Sequence, residues 1–332
     1  MSAGELTDLI ADIAARHTEP PPGELPSCWP VLVELGLPLV GIDEARGGSG
    51  GSLADLAVLV RALGRHAIST PLIESSVANW VVAGSGGEAG PGLRTISTHG
   101  LDAVGWARHA DQLVLYRDGL ALLTDLRASG VAVEPGTNVA GEPSDDVRLD
   151  AAGTGTLGGA PSGRDVAVRL GLLRAAALTG AVEGAYELTR GYVSTREQFG
   201  APLVRIPAVA SNLAIMKAAA IQCDAALARA VTRTAGDPGA GTDSGAYPAD
   251  DTALAAVAAA RIVAGCAATQ AARIAHQLHG AIGITAEYSL HRFTKRLWAW
   301  RDADTSEHDW SVLLGGLAAA GGETVFWENL TA

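Results

Sequence analysis

The chain is 332 residues long, 48% hydrophobic and only 18% charged, which is enough to bury a sizeable core across two or three layers. Its net charge of −12 argues against nucleic acid as a partner, because phosphate binding needs clustered Lys and Arg. Cys28, Cys223 and Cys266 stand at no metal-ligand spacing and suggest no disulfide framework, so no metal site is expected and a reducing cytoplasm is the expected compartment.

Met1 to Thr18 carries Glu5, Asp8 and Asp12 with no basic leader, so no secretory signal is expected there. No uninterrupted apolar run reaches the roughly 20 residues that a membrane span needs. Residues 4–16 alternate at helical spacing, Pro20-Pro-Pro-Gly23 breaks the chain, and 28–36 make a short helix. A Gly-rich loop, 41–51, leads to Ser52 as a plausible N-cap, followed by helices at about 52–66 and 71–82. Between Leu93 and Asp150 the runs Gln112–Tyr116, Leu120–Leu126, Val131–Val133 and Val147–Leu149 read as strands. Residues 151–162 read as a linker.

From Arg164 onward the chain reads as long helices at 164–195, 207–234, 251–278, about 287–301 and 306–319, with a Gly/Asp/Pro-rich loop over 235–250. Val209, Leu213, Met216, Ala220, Cys223, Leu227 and Val231 step by threes and fours, as on the buried face of a bundle helix. Cys223 and Cys266 lie in Ala-rich stretches and read as small core residues. The expected fold is mostly α with a small β domain. It divides into a helical N-terminal domain (1–90), a shortened β domain (91–160) and a C-terminal four-helix bundle (161–332).

Two segments carry candidate chemistry. Arg196-Glu-Gln-Phe-Gly200 ends the first long bundle helix, where Arg196 can cap its own helix or meet an anionic ligand. Gln277-Leu-His-Gly-Ala-Ile-Gly283 places Gly280 and Gly283 at a tight turn with exposed amides, suited to anion contact. His279 beside them reads more readily as structural. Thr285-Ala-Glu-Tyr288 follows.

These segments resemble the flavin-binding signatures of the acyl-CoA dehydrogenases. The loop from Ile42 to Ser52 with Asp55, and Thr70-Pro-Leu72, extend the resemblance, although the loop on its own reads as a plain connection between helices. The resemblance implies FAD at a subunit interface, with Arg196, Gln198, Phe199, Gln277, Gly280 and Gly283 touching it. It implies a dimer or a dimer of dimers, an acyl thioester substrate (on CoA or a carrier protein), and an electron-accepting flavoprotein as a further partner.

In the family a carboxylate takes the α-proton of the thioester. Reading forward from Tyr288 puts Asp304 at that position, one methylene shorter than the usual Glu, and followed by Thr305-Ser306 in place of Gly-Thr. Asp304 is the candidate base, and Asp304, Thr305 or Ser306 also reads as an N-cap of the next helix. The alternative base position on the first bundle helix falls on Leu170-Gly171, flanked by Arg169 and Arg174. Pro207 stands where the family has a Gln, and the strings that hold the isoalloxazine ring are missing. Two functions are therefore expected: an α,β-desaturase of an acyl thioester, or a non-catalytic subunit that completes a full-length partner's FAD site. The shortened middle domain resembles partner subunits of heteromeric actinobacterial-type dehydrogenases.

Overall fold

The structure is a computed structural model. It describes residues 1–117, 120–150, 154–235 and 250–331, and the expected loop at 235–250 falls almost wholly outside them. Four helices open the chain: α1 (Ala3–Ala15), α2 (Trp29–Glu34), α3 (Leu53–Arg65) and α4 (Leu72–Gly84). Ser52 caps α3 in a reciprocal capping box with Asp55, as the sequence indicates.

Seven strands follow: β1 (Arg94–Ser97), β2 (Val104–Gly105), β3 (Gln112–Arg117), β4 (Leu120–Asp125), β5 (Val131–Glu134), β6 (Ser144–Leu149) and β7 (Thr154–Thr156). They form a four-stranded sheet in the order β1-β3-β4-β7 and a three-stranded sheet in the order β2-β6-β5. Among the described residues, only β1 and β3 pair in parallel. The segment read as a linker therefore contains an edge strand, β7, paired with Leu122–Thr124.

The bundle comprises α5 (Gly163–Thr195), α6 (Pro207–Thr234), α7 (Asp251–His279), α8 (Leu290–Arg301) and α9 (Glu307–Thr331), the last interrupted at Gly322. Before α6, β8 (Glu197–Gln198) and β9 (Ala201–Pro202) make a short hairpin. Leu213, Met216, Ala220, Cys223 and Leu227 are buried along α6, as their spacing predicts. Cys266 departs from expectation: it is exposed on α7, and its thiol donates to Glu307 Oε1 at 3.2 Å. Among the described residues one helix, α7, has the length and apolar composition of a membrane span, but most of it is buried within the bundle.

The N-terminal helices join the bundle through α3 and α5. The two helices cross backbone to backbone because glycines stand at the crossing. A Cβ on Gly180 would lie 2.0 Å from the Arg61 carbonyl oxygen, and one on Gly184 2.2 Å from that of Arg65. Reciprocally, a Cβ on Gly64 would lie 2.3 Å from the Ala177 carbonyl oxygen. Ion pairs flank this seam, Arg61 to Glu183 at 3.0 Å and Arg65 to Glu187 at 2.6 Å.

Candidate functional site: a closed cleft and an exposed bundle end

Asp304 lies in the short loop between α8 and α9. Ser306, not Asp304, caps the following helix: its hydroxyl accepts from the Asp309 amide and donates to Asp309 Oδ2 at 2.7 Å. Asp304 has a left-handed backbone, φ +58°, and the loop is held from beneath by Arg261 of α7. The Arg261 guanidinium donates to the carbonyls of Arg301 and Thr305, each at 3.1 Å. With only carbonyls for partners, burial pushes the Arg261 pKa down to about 10.

The Asp304 carboxylate is not free. Its Oδ2 accepts from Arg174 Nε at 2.6 Å, and Arg174 Nη2 donates to Glu74 Oε1 of α4 at 2.7 Å. Three elements distant in sequence thus meet in one buried ion triad. Burial acts to raise the Asp304 pKa, but Arg174, with Arg261 behind it, more than offsets this and holds the group below the ordinary carboxylate value. Burial raises the Glu74 pKa, against the opposing effect of Arg174 and with the help of Asp304. Glu74 Oε2 is buried and has no hydrogen-bond partner among the described residues. The carboxylate that the sequence lacks beside Arg174 on α5 is therefore supplied from α4.

Little space remains around the triad. A cavity of about 20 Å³ borders Arg174, Arg261, Asp304 and Trp310, enough for one water. Another, about 30 Å³, borders Ile73, Glu74, Trp106, Glu142, Arg174 and Trp300. Trp106 adopts φ +62° and is buried in its wall. Trp300 Nε1 donates to Glu142 Oε1 at 3.0 Å and ties the bundle to the β domain across the cleft. The second base position, Leu170-Gly171, is also covered: a Cβ on Gly171 would lie 2.8 Å from the Trp310 ring.

The other candidate residues lie at one end of the bundle. Tyr192 near the end of α5 stacks on His279 at the end of α7, centroids 4.4 Å apart, and Tyr288 packs edge-on against Tyr192 at 5.7 Å. This contact sets the Arg196 and Gln277 segments side by side. His279 Nδ1 donates to the Ala275 carbonyl at 2.8 Å, so the ring is fixed as structural support, and burial lowers its pKa. Arg196 forms the C-cap of α5 through its backbone, while its side chain stays exposed with no hydrogen bond or ion pair among the described residues. Gln198, Gln277 and Gly280 are exposed as well.

Phe199 forms the hairpin tip at φ +56° and is 93% exposed. An L-residue in this backbone region costs about 1–2 kcal/mol. Gly280 has φ +62° and ψ −140°, a conformation open to glycine, with nothing within 4 Å of the position its Cβ would take. Gly283 differs: it is buried, and a Cβ there would meet His279 at 2.8 Å, so it serves packing. The 41–51 loop closes on itself through Gly41 N–H to Gly50 O and Gly50 N–H to Ile42 O. Beneath it Arg169 lies 4.8 Å over the Trp80 ring, and burial pushes its pKa down to about 9.

The acyl-CoA dehydrogenase C-terminal domain family matches residues 169–301. The acyl-CoA dehydrogenase IpdE2 of Mycobacterium tuberculosis is 29% identical over 311 residues, covering 88% of this chain and 89% of the relative. Residues 169–301 are thus similar to that family's C-terminal domain, and most of the chain is similar to acyl-CoA dehydrogenases. A further relative, the acyl-CoA dehydrogenase FadE28 of the same organism, is 26% identical over 300 residues, 80% of this chain and 84% of its own length. The fold is shared along nearly the whole chain. A Tcur3481-Tcur3483 steroid ACAD variant superposes with a TM-score of 0.82 at 23% identity, covering 96% of this chain and 98% of that one. The ChsE4-ChsE5 complex from M. tuberculosis gives 0.80 at 21% identity, covering 96% and 97%.

Members of the family are FAD-dependent. The two halves of this chain fit such a group differently. At the bundle end the exposed Arg196 guanidinium, the Gln277 amide and the open Gly280 backbone offer the donors that a dinucleotide pyrophosphate needs. In the cleft, cavities of about 20 and 30 Å³ do not fit a flavin ring, since ligand pockets run to about 300 Å³ or more.

Proposed function

We propose that this chain is the cofactor-completing, non-catalytic subunit of a heteromeric acyl-CoA dehydrogenase. The observation that carries this reading is the fate of Asp304. The one carboxylate at the family's base position is consumed in an ion triad beside a cavity of about 20 Å³, while the Arg196 and Gln277 segments stand exposed. Arg196 would meet the charge of the dinucleotide pyrophosphate, the Gln277 side chain and the Gly280 amide would donate to it, and Phe199 would be covered by the partner. A flavin held there would supply the hydride acceptor for α,β-dehydrogenation of an acyl thioester, and the base would come from the partner's half. Two of the structurally similar proteins, Tcur3481-Tcur3483 and ChsE4-ChsE5, are named as two-component assemblies, which supports a heteromer here.

The deciding experiment compares the chain purified alone with the chain coexpressed with a full-length family member. Alone, it is expected to be colourless; together, the pair is expected to copurify with bound flavin that acyl-CoA bleaches. A chain that retains stoichiometric flavin alone and is bleached by acyl-CoA would refute the proposal. In the heteromer, Arg196→Ala should weaken flavin retention about tenfold or more, the loss of a hydrogen bond between charged groups. Phe199→Gly relieves the tip backbone, so the isolated chain should unfold at no lower temperature while heteromer assembly weakens; a lowered midpoint would assign Phe199 to the fold.

One observation favours the desaturase reading in its own right. Glu74 is a buried carboxyl, and its Oε2 has no hydrogen-bond partner among the described residues, so one oxygen is left to accept a proton. In that case Glu74→Gln or Asp304→Asn would abolish thioester-dependent bleaching in the chain alone.

A further inference from the structure

The last twelve residues before the Asp304 loop are unusual for so acidic a chain. Helix α8 (Leu290–Arg301) contains Arg292, Lys295, Arg296 and Arg301 and no Asp or Glu. Its His291, Arg292, Lys295 and Arg296 side chains line one wall of a pocket of about 200 Å³, closed opposite by the Pro20-Pro21-Pro22 turn and by the loop at 140–142. The pocket shares Ser69, Trp106 and Glu142 with the wall of the closed cleft, so it lies on the outer side of Trp106.

The carboxylates of this wall are largely spent. Glu19 pairs with Arg296. Glu142 accepts from Trp300 Nε1 at 3.0 Å and from Asn138 at 2.8 Å, with Arg296 Nε at 3.6 Å. Arg296 is only 5% exposed, a fixed cation in the floor. His291 is oriented by its Nδ1 bond to the Tyr288 carbonyl at 2.8 Å. Arg292 reaches Glu19 only at 3.9 Å, and Lys295 has no ion pair among the described residues. Glu24, exposed at the rim, disfavours an extended polyanion.

We propose that this pocket binds a small oxyanion, the phosphate or carboxylate end of a metabolite, through Arg292 and Lys295 with His291 beside them. Two independent features support it: cations gathered on one helix face of a strongly acidic protein, and a pocket whose rigid triproline wall needs no rearrangement to admit a ligand. The site does not depend on the reading of Arg196 and Gln277.

The chain has only two lysines, and this provides a direct test. Lys217 lies on α6, 5.2 Å from the Tyr186 ring, and serves as an internal control. Reductive ¹³C-methylation of the full chain keeps both charges and gives each lysine its own NMR signal. Inorganic phosphate and succinate are titrated separately at constant ionic strength set with sodium chloride. The expected result is a saturable shift of Lys295 with Lys217 unmoved, and a roughly tenfold weaker midpoint in Arg292→Gln. Saturation by phosphate alone assigns a phosphate ligand, by succinate alone a carboxylate, and by both a general oxyanion site. Parallel, unsaturating drift of both lysines, or an unchanged midpoint in Arg292→Gln, overturns the proposal.

Discussion

Replacing Arg174 with methionine should destabilise the protein by about 3–5 kcal/mol, the cost of leaving buried charge without its counterion. Among the described residues, Arg174 is the only cation bonded to both Glu74 and Asp304. The variant should also change how stability depends on pH. In the native triad the Asp304 pKa is held below its ordinary 3.8, so this group contributes stability above pH 3.8 that is lost as pH falls through the folded value. The Glu74 pKa is raised above 4.5, so its contribution is complete below pH 4.5 and is lost as pH rises through the folded value. Without Arg174 both carboxyls rise, and the deficit of the variant should grow from acid toward neutral pH. Denaturant unfolding across about pH 3 to 8 measures this, and a deficit flat with pH would mean that only packing had been lost. Adding Glu74→Gln and Asp304→Asn to the variant should recover most of the loss.

Gly180→Ala should cost about 3 kcal/mol or more, since the new methyl meets backbone that cannot swing aside. Its Cβ would sit 2.0 Å from the Arg61 oxygen and 2.8 Å from the Arg65 nitrogen. Gly191 is the control: it lies on the same helix, is exposed, and has nothing within 4 Å of a Cβ. Gly191→Ala should instead stabilise by roughly 0.5–1 kcal/mol, because alanine restricts the unfolded chain and favours the helix. Thermal unfolding of the two variants side by side gives opposite signs if the α3–α5 crossing is as close as described, and equal small effects if it is not.

The long helices were legible because their apolar spacing, Ser52 and its capping partner Asp55 are local signals. The strands β1, β2 and β7 were not: Val104–Gly105 is two residues long, Thr154–Thr156 has no apolar side chain, and β1 pairs with β3 eighteen residues away. Arg196, Gln198, Phe199, Gln277 and Gly280 could be named from their strings, yet only the Tyr192–His279 stack explains why the two segments share one end of the bundle. Spacing alone marks Asp304; its bond to Arg174 leaves no local signal, since the pairing crosses 130 residues. The sequence does carry one local sign of the triad. Glu74 follows Leu72-Ile73 on a buried helix, and Arg174 interrupts the apolar run from Leu170 to Ala177. A charge embedded in each of two apolar faces marks a pair that must find each other inside.

The glycine crossing has a mechanical consequence. Backbones in direct contact have no side-chain layer to shear, so α3 and α5 carry the N-terminal helices and the bundle as one stiff frame. The sheets are tied to that frame at a further point, where Glu142 accepts from Trp300 Nε1 at 3.0 Å and lies 3.6 Å from Arg296 Nε.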